Sequence, residues 1–221
     1  RKLRKLLSKN GHDLVHAQWG QSGLLALPKK IPLVVTFRGS DVEGMVNRKG
    51  GKSIYGRLLT CISKLVSKKA DEVIVVSEHL GKKLPISSYH VIPSGVDLTL
   101  FQPNDKLKSR AELGISPNRM IILFIANPSI PGKRYDLALS ATNVVKKIYN
   151  RVALLVVNGL PHNQIPVYMN AGDVLLVTSA HEGSPNIIKE ALACNLPIVS
   201  TDVGDVKERI RKIEGCIVGD S

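Results

Sequence analysis

The sequence lacks any long apolar run. Its longest, Pro32–Phe37, Met120–Ala126 and Val152–Val157, fall far short of the roughly 18 to 20 residues that a spanning helix needs, so no transmembrane segment is expected. The basic opening, Arg1 to Asn10, has neither the apolar middle nor the small-residue cleavage site of a signal peptide. A cytoplasmic location is the resulting expectation. Cysteine is scarce: Cys61, Cys194 and Cys216 are three in number and have no CxxC spacing. That argues against a disulfide framework or a zinc cluster and reads all three as core thiols. Neither do His16, His79, His162 and His181 stand at metal-ligand spacing. Aromatic residues make up only 4% of the chain, too few for the stacking platforms of a nucleic-acid binder.

Acidic residues are also short, with 18 Asp and Glu against 31 Lys and Arg, for a net charge of +13. Such an excess draws anions over the range that salt screening permits. With nucleic acid set aside, the candidates are phosphorylated small molecules and an anionic membrane surface. The run RKLRKLLSK at residues 1–9 would place Leu3, Leu6 and Leu7 on one helical stripe flanked by Lys and Arg. That pattern suits a helix lying on a membrane, or one packed on its own domain with its charges in water. The 43% hydrophobic and 22% charged content of the 221 residues is that of a globular protein, large enough for one large domain or two small ones.

What is abundant is a rhythm of short β-branched runs, polar loops and helical stretches, which predicts parallel strands joined by crossover helices. Strands are expected at 13–17, 33–37, 72–76, 89–92, 120–125, 152–157, 174–178 and 198–201, in sheets covered on both faces. Helices are expected at 55–69, 134–149, 187–193 and 206–213. In the second of these, Leu137, Ala138, Ala141, Val144, Val145 and Ile148 recur at the spacing of one buried face. The strand ending at Ile92 runs into Pro93-Ser94-Gly95 and then a polar stretch, which sets a domain boundary near residue 95. The expected domains are 1–94 and 95–221.

Residues 179–201 form a strand, loop, helix, strand unit, and ligands of open α/β sheets bind outside the carboxyl ends of the strands. Gly183 would let backbone approach a ligand without a Cβ. Ser184 suits an N-cap and Pro185 a first helical position, so the amides at Pro185, Asn186 and Ile187 would face a phosphate or a polarised sugar hydroxyl. Asn195 can take the left-handed conformation that stops a helix. Glu182 and Glu190 stand eight positions apart, one before the helix and one on its second turn. A carboxylate can accept from two vicinal hydroxyls, so Glu190 could hold a ribose and Glu182 a hexose; the bare alternative is a capping acid and a solvated helix charge.

The run HEGSPNIIKEALACNLPIVSTDVGD, residues 181–205, resembles the E-x7-E signature segment of the large retaining glycosyltransferase family four, which holds many bacterial polysaccharide and glycolipid enzymes. Three further segments agree with it in order. DLVHAQWGQSGLLAL followed by IPLVVTFRGSD is similar to the family's N-domain strand and T-x-H-G-x-D loop. ADEVIVVSEHL and then YHVIPSGVDLTLFQP are similar to its run into the interdomain connection. ILFIANPSIPGKRYDLALSA is similar to the first strand and basic loop of its donor domain.

The resemblance implies an α/β GT-B-like fold of two Rossmann-like parallel-sheet domains, acceptor side first and donor side second. It implies retaining transfer of a sugar from a nucleotide diphosphate-sugar to a glycan, lipid or small-molecule acceptor, with that donor as substrate and no cofactor or metal. Glu190 would be the ribose ligand, Glu182 would lie near the transferred sugar, and Lys133 would face the donor's diphosphate. Arg134 stands where relatives often have Gly, and would replace a cation that Asn127-Pro128 lacks. Gly159 and Leu160 would pass the nucleobase by backbone contact. His16, Arg38, Gly39 and Asp41 are the acceptor-side candidates, with Arg38 and Gln18 standing where the family usually has His. Family members place further βα units ahead of a segment like DLVHAQ. The expectation is therefore a fragment, or a reduced form that completes its N-terminal sheet through another copy. A catalytically inactive nucleotide-sugar-binding module is the alternative function.

Overall fold

The computed structural model describes residues 11–45, 51 and 53–219. The amphipathic run at 1–9 lies outside them, as does part of the basic stretch that begins at Arg48. No helix among the described residues is long and apolar enough to cross a membrane. The chain divides into two compact units, one of residues 1–94 with 181–184 and the other of 95–180 with 185–221.

The first unit carries strands β1 (Val15–Ala17), β2 (Leu33–Phe37), β3 (Glu72–Val75) and β4 (His90–Val91), all parallel and in that spatial order. Helices α1 (Gly20–Leu25), α2 (Ser40–Glu43), α3 (Ile54–Ser67) and α4 (Glu78–Gly81) connect them. Leu33, Val35 and Phe37 alternate into the core with no exposure at all, the two-residue period of a pleated strand. Ser53 caps α3 by accepting from the Gly56 amide at 2.9 Å. Helix α1 lies hard against α3, because a Cβ on Gly20 would stand 2.3 Å from Ser63 Oγ and one on Gly23 2.6 Å from Val66 Cγ1.

The second unit carries α5 (Lys106–Glu112), β5 (Met120–Ile125), α6 (Tyr135–Lys146), β6 (Val152–Val157), α7 (Ile165–Ala171), β7 (Val174–Val177), α8 (Asn186–Ala193), β8 (Ile198–Thr201), α9 (Val206–Ile210) and β9 (Ile217–Gly219). Its five strands are parallel in the order β6-β5-β7-β8-β9. The chain leaves β5 to one side to form β6, then crosses back to lay β7 on the other side, so the winding direction reverses at β5. Leu123, Leu175, Ile188, Ile198 and Ile210 are fully buried in its core.

Several expectations change. The structure has Cys61 exposed, with only Cys194 buried and Cys216 between the two, so the reading of three core thiols fails for Cys61 on the outer side of α3. On α6, Ala138 and Thr142 are buried, while Val144 is 60% exposed and Ile148, just past the helix end, 72%. The buried line follows i, i+4 from Ala138, and Val144 and Ile148 fall off it. The sheet of the second unit is not sealed on both faces either. An apolar hollow of about 260 Å³ lies among Met120, Ile122, Ala141, Val145, Leu176 and Val199.

Asp173 ties the second unit together. Its carboxylate accepts from Lys106 Nζ at 2.6 Å, Arg110 Nη2 at 2.7 Å and the Ile121 amide at 2.6 Å. Arg110, itself 4% exposed, also donates to the Ala171 and Pro117 carbonyls. Burial alone would raise the Asp173 pKa, but Lys106, the Ile121 amide and Arg110 outweigh it and hold the group below its ordinary range. A depressed folded-state pKa gives stability that is present above the ordinary carboxylate range and lost as pH falls through the folded value. Asp173→Asn is therefore expected to lower unfolding stability by about 2 kcal/mol at neutral pH. The gap to wild type should close in acid; urea melts at several pH values measure it.

Candidate functional site

A sheet that reverses direction leaves a crevice at the carboxyl ends of the two strands where the reversal occurs, here β5 and β7. After β5 the chain turns through a short 3-10 helix, Pro131–Lys133. Arg134 then takes a left-handed conformation, φ +48°, at the N-cap of α6. The segment that leaves β7 pins this loop. Thr178 Oγ1 donates to the Lys133 and Arg134 carbonyls at 2.8 and 2.9 Å, and the Ala180 amide donates to the Gly132 carbonyl at 2.8 Å. Thr201, at the end of β8, donates in turn to the Ser179 carbonyl at 2.7 Å. The backbone of Lys133 and Arg134 is thus fixed beside the end of β7.

Helix α8 follows β7. It begins at Asn186 with Pro185 at the N-cap, and no side chain caps it, which corrects the expected Ser184 cap by one position. The extended backbone at Pro185, with ψ at 120°, serves as the entry that the serine would have supplied. Asn195 does stop the helix in the left-handed region at φ +55°.

Glu190, on the second turn of α8, is buried, with its side chain 10% exposed. Its Oε1 accepts from His162 Nε2 at 3.0 Å. His162 opens the short helical turn His162–Gln164 in the loop after β6, and its ring lies against Phe101 with centroids 5.0 Å apart. Gly159 and Leu160 stand in the same loop, Gly159 at φ +73°. Below Glu190 on α8, burial and then the Glu190 charge push the Cys194 thiol up to about 11.

The second unit therefore gathers Lys133, Arg134, Gly159, Leu160, Pro185, Asn186, Ile187 and Glu190 from its expected site residues, on the loops after β5 and β6 and on α8. Glu182, Gly183 and Ser184 group with the first unit. There a Cβ on Gly183 would meet the Arg38 carbonyl oxygen at 2.2 Å, and Ser77 Oγ donates to the Gly183 carbonyl at 2.8 Å. Gly183 is glycine to admit that backbone, a different reason from the ligand approach expected of it.

The acceptor-side candidates sit at the ends of β1 and β2. The carboxylate of Asp41 is fully buried and accepts from the Arg38, Gly39 and Gly20 amides at 3.1, 2.9 and 3.3 Å. Burial raises its pKa against those three bonds. Asp41 is a brace for two loops. At the same edge Arg38 donates to Gln18 Oε1 at 2.6 Å and Ser94 Oγ at 3.0 Å, and His16 is bonded to Thr36 Oγ1 at 2.8 Å. Among the described residues no group of three or more His, Cys, Asp or Glu could hold a metal ion. The residue that sequence reasoning missed is His162. It lies 28 positions from Glu190, and nothing in the local pattern of its loop announces a partner so far along the chain.

Two family models cover most of the sequence, Glycosyltransferase Family 4 over residues 1–100 and Glycosyl transferases group 1 over residues 141–221. Each half of the chain thus matches a glycosyltransferase model, on an α/β GT-B fold. Among its relatives, a Bacillus subtilis glycosyltransferase assigned to teichuronic acid biosynthesis is 25% identical over 230 residues, which cover 93% of this chain and 57% of that protein. A sucrose-phosphate synthase from Thermosynechococcus elongatus has the same fold, with a TM-score of 0.74 at 18% identity, over 99% of this chain and 63% of that one. The Anabaena protein HepE, solved in complex with UDP-glucose, matches with a TM-score of 0.70 at 19% identity, over 94% of this chain and 65% of that one. The chain spans about half the length of the relatives it matches.

The burial pattern makes a direct chemical prediction. With its thiol protonated and enclosed, Cys194 should resist a thiol reagent such as DTNB at pH 8 in the native protein, while exposed Cys61 reacts at once. Mass spectrometry of the labelled peptides before and after denaturation distinguishes the two. Rapid native labelling of Cys194 would contradict the packing described beneath Glu190.

Proposed function

We propose that this GT-B chain is the catalytic portion of a retaining glycosyltransferase that takes a sugar from a nucleotide diphosphate-sugar. The observation that carries the reading is the buried Glu190 carboxylate, held on α8, the helix that follows β7, while the loop that carries Lys133 and Arg134 is pinned to Thr178 at the end of that strand. An acid that can accept from a ribose hydroxyl pair and cations that can face two phosphates match the two ends of a nucleoside diphosphate. The UDP-glucose bound to HepE supports a donor of this kind.

In this reading Lys133, with Arg134 beside it and the N-terminal end of the α8 dipole, stabilises the negative charge that grows on the diphosphate as the glycosidic bond breaks. The acceptor hydroxyl adds to the anomeric carbon on the face that the diphosphate leaves, and its proton passes to a departing phosphate oxygen, so configuration is retained without an enzyme nucleophile. The placement of Glu182 near the transferred sugar rests on the signature segment alone, as do the acceptor roles of His16, Arg38 and Gly39. A donor that must carry two phosphates is also favoured by the net charge of +13.

Thermal shift against a panel of UDP-, GDP- and ADP-sugars tests the proposal. A ligand at a hundred times its Kd stabilises the fold by about 2.7 kcal/mol, so a true donor raises the melting temperature by several degrees. Glu190→Ala should abolish that shift, Glu190→Gln should reduce it, and both should melt near wild type without ligand. A shift that survives Glu190→Ala would remove Glu190 from the site.

A further inference from the structure

We infer that His162 is a positioning residue that holds the Glu190 carboxylate in the orientation that receives the donor's ribose. The inference rests on the donor-site reading and adds to it a residue from a different loop.

An ionised carboxylate can only accept hydrogen bonds, so the 3.0 Å contact between His162 Nε2 and Glu190 Oε1 requires the proton on Nε2. That bond occupies one oxygen. Among the described residues no donor reaches Oε2, which leaves one oxygen held by the protein and one open to a ligand. A glutamate has three side-chain torsions, and an unheld carboxylate would swing. The imidazole restricts that freedom because it is itself backed on one side. Its ring lies at 52° to that of Phe101, which is 1% exposed and cannot yield.

Phe101 owes its place to the turn before it. Asp97 Oδ1 accepts from the Thr99 amide at 2.9 Å and from Thr99 Oγ1 at 2.6 Å, and the Phe101 amide donates back to the Asp97 carbonyl at 2.8 Å. The Thr99 bonds hold the Asp97 carboxyl below its ordinary range, and the His162 charge acts in the same direction. His162 thus stands near two acids, bonded to Glu190 and braced on the far side by the aromatic ring. Its own side chain is 64% exposed, so replacing it opens no core cavity. Three stretches remote in sequence meet here: the 97–101 turn backs the imidazole, and the loop after β6 brings that imidazole to the carboxylate on α8. Such convergence is how a binding group is kept to within a fraction of an ångström.

The test uses the whole chain and free nucleotides. Binding of UDP, GDP and ADP is measured by titration calorimetry, and the tightest is compared with its 2′-deoxy counterpart. His162→Ala should weaken the ribonucleotide about tenfold, the loss of one hydrogen bond to a charged group, and leave the 2′-deoxynucleotide within about twofold. His162→Gln, which can present an amide N–H at the same oxygen, should recover most of the affinity. A purely structural role would weaken both nucleotides alike and would not be rescued by Gln. Equal losses, no loss, or failure of Gln to rescue would each overturn the inference while leaving the donor site standing, provided Glu190→Ala abolishes binding. If wild type binds none of the three, or Glu190→Ala binds as wild type does, the donor-site reading falls and this inference with it.

Discussion

Burying an ionised carboxylate costs several kcal/mol unless donors replace the water it loses. Glu190 is buried in the second unit, and among the described residues one donor, His162, reaches it. The remaining oxygen is the reason to regard this place as a binding site. Around it the fold is arranged to hold loops still. Thr178 and Thr201 anchor the turns after β5 and β7, and Asp173 fastens α5 to the opposite end of the same strands. Rigid strand ends with polar loops above them are how an α/β sheet offers function on a stable base.

The first unit solves a similar problem with a different brace. Asp41 is buried and, among the described residues, is satisfied by three backbone amides without a cationic partner in hydrogen-bond contact. It therefore fixes where the loops after β1 and β2 turn, and Gly20 and Gly23 let α1 sit close enough to α3 for that geometry to exist. Burial raises its pKa all the same, the mark of a group kept for shape at some expense in stability.

Much of the architecture could be read from residue types because parallel strands announce themselves by β-branched runs. Leu33–Phe37, Met120–Ile125, Val152–Val157 and Ile198–Thr201 form as strands with the bounds that composition alone suggests. The elements that escaped are short. Helices Gly20–Leu25, Ser40–Glu43 and Glu78–Gly81 span no more than two turns and show no periodicity, since tertiary contact rather than propensity holds them. Helices Lys106–Glu112 and Ile165–Ala171 and strand Ile217–Gly219 were hidden for the same reason. At the site, Glu190 and Lys133 were legible as parts of sequence-local patterns, whereas His162 and Phe101 act only through proximity that the chain creates on folding.

The central claim is that the carboxyl edge of the second sheet grips a nucleoside diphosphate between α8 and the loop after β5. Hydrogen–deuterium exchange with and without UDP, GDP and ADP tests it most directly. The account predicts slowed exchange confined to peptides spanning residues 129–136, 158–164 and 184–191 in the presence of the nucleotide that binds. Slowed exchange elsewhere, with those three segments unchanged, would contradict it.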